Sequence, residues 1–263
     1  IFKQSDKLMN SKGIKYFLYK WYIKNYIKKE KFFYKKHADL LYYYSNELLD
    51  RFNKIDCKKK AFRTPIISNN DIIFRKDTCN RNTIKILRVC WLLPSKGLEY
   101  LIDAIKMLKD KNYKIELNII GGERHLGYKD FLKKYIYDMG LSKEINLLGW
   151  MKNSEITKYF LSHDIQVISS LSEGTPRVIL EGLSKSVPLV ATNVGGINTM
   201  LKNNKDCIVV EPKSSLELMD GIELVIQNKE LRKRLIINGI ENSKQWTFEK
   251  KSVDLLKDMN NLL

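Results

Sequence analysis

Four cysteines and three histidines in 263 residues leave little material for metal or thiol chemistry. Cys57, Cys79, Cys90 and Cys207 are scattered, with no CxxC pair and no metal-ligand spacing. That usage fits structural thiols in a reducing compartment. His37 and His163 each precede an expected strand and His125 stands in a polar loop, so none is assigned to catalysis. No apolar run reaches the roughly 18 residues needed to cross a bilayer, and no secretory signal is visible. The chain opens on Ile1 within a charged stretch, and its amino-terminal part is expected to be missing. Acidic side chains are the other shortage: 47 Lys and Arg face 30 Asp and Glu, for a net charge of +17. The imbalance is local. Residues 1–85 hold 21 basic and 8 acidic side chains, a surplus of 13, whereas 86–263 hold 26 and 22, a surplus of 4. A basic surface for a partner is therefore expected in the first third.

What is present is globular in character. With 44% apolar and 29% charged residues the chain can bury a sizeable core. From Lys85 on, β-type apolar runs alternate with helical periodicity. IKILRVCWLL reads as a strand with Arg88 inside it, and GLEYLIDAIKMLKD as a helix. KIELNIIGG (114–122) is a strand ending on paired glycines, and YKDFLKKYIYDMG is a helix stopped by Gly140. INLLGW, SEITKYFLSHD, DIQVISS, PRVILEGLSKS and PLVAT continue the alternation. Such a pattern implies an α/β fold, a doubly wound parallel sheet with helices on both faces. The expected layout places this domain at 85–246, a linker at 63–84 and an amphipathic closing helix at 247–263. In the first third, residues 14–36 suit one long helix, with Lys20, Lys24, Lys28, Lys31 and Lys35 on one stripe. HADLLYYYS (37–45) reads as a buried strand.

One stretch carries two carboxylates eight positions apart. In SEGTPRVILEG, Glu173 falls in the loop after strand DIQVISS, at the strand end where open α/β sheets bind ligands. Pro176 suits the first position of the next helix, whose free amides and dipole favour a phosphate. Glu181 sits among Val178, Ile179, Leu180 and Leu183, where a carboxylate without partners is costly. Two sugar hydroxyls would satisfy it.

PSKG (94–97), IIGG (119–122), LLGW (147–150), SEGTPRVILEG and VPLVATNVGG occur in this order. Together they make the sequence resemble the retaining GT-B glycosyltransferases of family four, over nearly all of the carboxyl-terminal domain. The resemblance implies that Lys96 grips the donor diphosphate, a task that suits a compact cation. It implies that Glu181 accepts hydrogen bonds from the nucleotide ribose and that Glu173 holds hydroxyls of the transferred sugar. Lys96 and Glu173 are then the catalytic pair. The backbone at Gly174, Arg177, Val178 and Ile179 is implied to reach the diphosphate or sugar, with Gly122 and Leu148–Gly149–Trp150 lining the nucleotide pocket. The co-substrate is a nucleotide-diphosphate-sugar. No D-x-D occurs, so no metal or other cofactor is expected; lysine and helix dipole would carry the leaving group's charge. One departure stands out: where the family has Gly-Arg before the lysine, this chain has Cys90 and Trp91. The missing arginine's work could pass to Arg177 or Arg88; compensation by Arg177, which lies in the right loop, is favoured, with a solvent-directed side chain the alternative for Arg88 in its strand.

The resemblance also makes 1–62 the remnant of an amino-terminal acceptor domain. The implied acceptor is a glycan or lipid-linked sugar, the setting cell-surface polysaccharide synthesis. The expected location is cytoplasmic, with 14–36 either a solvated face or a helix lying on an anionic membrane. Two other readings stay open: an inactive nucleotide-binding or scaffolding relic, and a sugar-nucleotide epimerase on the same scaffold. A basic helix without a recognisable nucleic-acid module is weak support for a third, and no nucleic-acid partner is expected.

Overall fold

The computed structural model describes residues 65–174 and 176–261, together with Asn25 and residues 28–29, 40–43 and 57–61. The chain divides between Thr64 and Pro65 into two compact units.

In the first unit, β1 (Leu40–Tyr43) and β2 (Lys58–Ala61) pair in parallel, with Leu40 opposite Lys58. The strand expected over 37–45 is present at its centre. Its partner was not expected, because KKKA carries no apolar signal. Of the helix expected over 14–36, only Asn25, Lys28 and Lys29 are described, each helical; the rest lies outside the described residues.

The second unit is built on six strands: β3 (Ile84–Val89), β4 (Ile115–Ile120), β5 (Ile145–Gly149), β6 (Ile165–Ile168), β7 (Leu189–Thr192) and β8 (Ile208–Val210). Their order is β5-β4-β3-β6-β7-β8 and every neighbouring pair is parallel. Three helices, α1 (Leu98–Asp110), α2 (Tyr128–Asp138) and α3 (Asn153–Ser162), link β3 to β6. α4 (Val178–Ser184) and the single-turn α5 (Ile197–Met200) flank β7, and α6 (Ser215–Gln227), α7 (Lys229–Lys244) and α8 (Phe248–Asn260) follow β8.

Alternate residues of one strand enter different cores, as period-two side chains must. Ile86, Ile119, Val167 and Val190 pack into one cluster with α1, where Leu98, Leu101, Ile102, Ile105 and Leu108 recur at helical spacing. Ile168, Leu189 and Ala191 pack oppositely, against Ile179, Leu180 and Leu183 of α4, and Leu87 and Ile120 join Phe160 of α3. Helices on both faces leave β6 and β7 buried at every position. This is the doubly wound α/β arrangement that continuous apolar runs imply. β8 escaped the sequence reading because three residues are too short a run.

The described part of the segment expected as a linker, from Pro65 on, packs on this unit. Phe248 donates its amide to Ile67 O (2.9 Å) and Ile73 donates to Ser184 O (2.7 Å). The closing helix α8 is capped by Thr247, whose hydroxyl accepts from the Lys250 amide. Among the described residues no helix is long and apolar enough to cross a membrane.

Candidate functional site

Successive connections run to one side from β3 to β5 and to the other from β6 to β8, so strand order reverses between β3 and β6. The loops leaving the carboxyl ends of these two strands must part there, and a crevice opens between them. The β3 loop forms a tight turn, Pro94–Lys96, followed by Gly97 at φ 56°. A side chain at Gly97 would fall 2.2 Å from Ser169 O, so only glycine lets the two loops touch. Where they touch they are stitched: Ser169 Oγ donates to Lys96 O (2.9 Å) and Leu171 N to Ser95 O (2.9 Å). The Gly195–Gly196 turn after β7 supports the β6 loop from behind. Gly196 N donates to Gly174 O (2.7 Å), and Gly195, at φ 55°, has no room for a Cβ against Glu173 O.

This scaffold brings Lys96 Nζ to 2.7 Å from Glu173 Oε1, with both side chains largely shielded. Lys96, Glu173, Arg177, Val178 and Glu181 line one cleft of about 490 Å³, together with Arg88, Trp91 and Asn153. Glu181 enters it from the first turn of α4. Burial pushes its pKa above the ordinary carboxylate value, while nearby Arg177 and Lys185 pull it back and Asp71 adds to the rise. Its carboxylate makes no hydrogen bond with the described residues, and it also borders a second cavity of about 110 Å³ that reaches Lys185. Lys185 in turn is held on Asp71.

The remaining expected residues fall around this centre. α4 begins at Val178 rather than at Pro176, with Arg177 as its cap residue. Ile179 is wholly buried and its amide donates to Pro176 O (3.2 Å), so in this conformation that amide is committed. Gly174 is exposed in the β6 loop. Gly122 lies against both Trp91 and Trp150, and Gly149 O accepts from Gly121 N (2.7 Å). The indoles of Trp91 and Trp150 are 39% and 62% exposed, and the Arg124 guanidinium stacks 4.1 Å over Trp91. His163 is buried on Asn118 and Tyr159 O, with its pKa lowered chiefly by burial; it stands away from the cleft lining.

Arg88 corrects the sequence reading. It is not directed to solvent but fully buried, and it donates to Ser170 Oγ at 2.7 Å. Ser170 in turn lies 2.7 Å from Glu173 Oε1. Ser170 was not expected in the site, and Arg88 was weighed only as a substitute for the missing diphosphate arginine. The available signals were a basic residue inside an apolar strand run and a serine pair at a strand end.

A family model described as glycosyl transferases group 1 matches residues 69–242. An uncharacterized glycosyltransferase of Methanocaldococcus jannaschii is 33% identical over 182 residues, covering 69% of this chain and 48% of that protein. The Escherichia coli UDP-Gal:alpha-D-GlcNAc-diphosphoundecaprenol alpha-1,3-galactosyltransferase is 28% identical over 214 residues, 79% of this chain and 52% of that protein. The chain thus spans about half the length of the curated relatives it matches. Among solved structures, Anabaena Alr3699/HepE in complex with UDP superposes with a TM-score of 0.74 at 18% identity, over 89% of this chain and 67% of that one. The fold is that of the GT-B glycosyltransferases. By motif order, sheet topology and family match, the chain belongs to the group 1 glycosyl transferases.

Proposed function

We propose that the cleft binds a nucleotide-diphosphate-sugar and that the whole protein transfers the sugar, with retention, to a glycan or lipid-linked acceptor in cell-surface polysaccharide synthesis. The observation that carries this reading is the convergence of Lys96, Glu173 and Glu181 on one cleft at the β3–β6 switch point. Lys96 and Arg177 supply cationic donors for a diphosphate. Glu173 and Glu181 supply acceptors for hydroxyls, the first for the sugar and the second for the ribose. Glu181 is half-buried and its carboxylate has no hydrogen-bond partner among the described residues, which suits a group whose hydrogen bonds come from a ligand. The names of the relatives point the same way: one is a galactosyltransferase using UDP-Gal on a diphosphoundecaprenol-linked sugar, and a structural neighbour holds UDP.

In this mechanism the bond between the anomeric carbon and the diphosphate breaks. The acceptor hydroxyl bonds to that carbon on the same face and its proton passes to the departing phosphate oxygen. No protein nucleophile is needed. Lys96 offsets the charge that develops on the diphosphate, a kind of contact typically worth a hundredfold to a thousandfold in rate. The cationic lining supports a metal-independent reaction.

The test uses the intact protein with nucleotide-sugar donors. Lys96→Ala, Glu173→Ala and Glu181→Ala are each expected to abolish measurable transfer while the circular dichroism spectrum is kept, and EDTA is expected to leave the wild-type rate unchanged. Full activity in the Glu181 variant would remove the ribose role and the reading with it. Donor hydrolysis by the wild type also separates an enzyme from an inactive relic with Trp91 at the arginine position.

A further inference from the structure

We infer that Arg88 and Ser170 form a buried positioning pair that holds Glu173 in place while Lys96 leaves it for the donor diphosphate; this rests on the donor reading above.

The chemistry of the three groups determines the direction of their hydrogen bonds. A guanidinium carries five N–H donors and no acceptor, and it stays charged. Ser170 Oγ must therefore accept from Arg88 Nη2 (2.7 Å), and its single proton is left for Glu173 Oε1 (2.7 Å). The chain of bonds reads Arg88 to Ser170 to Glu173. Thr192 Oγ1 donates to Ser170 O at 2.6 Å and pins the serine's backbone.

Arg88 is unusual in what it lacks. Its exposure is 0%, its Nε has no hydrogen-bond partner, and among the described residues no carboxylate contacts it directly. A buried cation without a counter-charge is costly. The charge it can reach is that of Glu173, through one hydroxyl. Arg88 borders the cleft but is fully shielded, and its one hydrogen bond among the described residues goes to Ser170, so in this proposal it acts through Ser170 and Glu173.

Glu173 Oε1 has two side-chain donors, Ser170 and Lys96, each at 2.7 Å. A diphosphate that recruits Lys96 removes one of them. The other, backed by the guanidinium, stays, and Oε2 remains to accept from a sugar hydroxyl. Arg88 is buried in β3, three residues before Trp91 of the cleft lining, and reaches the same carboxylate through Ser170.

The experiment measures affinity for UDP, GDP and ADP by calorimetry, and kcat and KM with the matching nucleotide-glucose donors, in the full chain. Ser170→Ala is expected to leave diphosphate affinity within about twofold and to lower kcat by roughly tenfold to a hundredfold, the range for losing a hydrogen bond to a charged group. Ser170→Thr, which keeps the hydroxyl, restores most of that rate, and Arg88→Lys retains more of it than Arg88→Met. An unchanged kcat in Ser170→Ala, or equal losses in the alanine and threonine variants, overturns the inference and leaves the donor reading standing. A wild-type chain that binds none of the three diphosphates takes both down.

Discussion

The two ends of the central sheet treat buried charge in opposite ways. At the amino-terminal end, Arg75 places its donors on five carbonyls, those of Phe160, Leu161, His163, Lys185 and Ser186. Nearby, Arg232 grips both oxygens of Asp77 (3.0 and 3.2 Å) and caps the end of α6 at Val225 O and Ile226 O. Asp164 accepts from the amides of Cys79 and Lys85, tying the start of β6 to the start of β3. These charges are satisfied by the protein itself. At the carboxyl-terminal end, among the described residues, Arg88 has one hydrogen-bond partner and an idle Nε, the Glu181 carboxylate has none, and Lys96 and Glu173 hold each other across an open cleft. A closed network stabilises a fold, whereas an open one of the same residue types waits for a ligand.

Substitutions can break this contrast. The largest effect is expected from Arg232→Met, which strands Asp77 in a buried position; it should cost about 3–5 kcal/mol of unfolding free energy by denaturant titration. Nucleotide affinity per folded molecule should be unaltered, and a weakened affinity would mean that the two ends are coupled. Next comes Gly195→Ala, whose new Cβ meets Glu173 O at 1.8 Å at a positive φ. It should lose about 1–3 kcal/mol of stability and also donor affinity, because the carbonyl that must move belongs to the site residue. Loss of stability alone would separate that turn from the site.

The smallest effect is a matter of sign. Burial raises the pKa of Glu181, so its charged form is less favoured folded than unfolded. The stability this group allows is complete below its unfolded pKa and is lost as pH rises through the folded value. Glu181→Gln in the ligand-free protein should therefore unfold at slightly higher denaturant than wild type at pH 8, with no gain near pH 4. An equal difference at both pH values would show that the carboxylate is not held at a cost.

Much of this was legible in the residues, for identifiable reasons. β3 to β7 announce themselves as predominantly apolar runs because helices cover both faces. Lys96, Glu173 and Glu181 were legible because turn residues, Pro94 and Gly97 in one loop and Gly174 and Pro176 in the other, mark the strand ends that carry them. Arg88 was not. On a sheet covered on both sides no polar face alternates with an apolar one, so the sequence has no period to say whether a strand arginine points outward. Ser170 and Gln166 were hidden likewise as polar residues of a fully buried stretch. The Asn- and Asp-rich chain around 69–82 looks like a tether by composition, yet its polar atoms are spent on helix ends and strand starts, as Arg75 and Asp77 show. Such partners are more than 80 residues away in sequence, out of reach of any local pattern.

The short contact between Lys96 and Glu173 has a bearing on selectivity. On the donor reading, a lone inorganic anion that captures the ammonium takes from Glu173 one of its two side-chain donors, and a neutral sugar that captures the carboxylate takes from Lys96 its carboxylate partner. Only a molecule carrying both functions at the right separation satisfies both at once. On the donor reading proposed above, the site would act as a two-key lock, screening out abundant phosphate and free sugars without any wall built to exclude them.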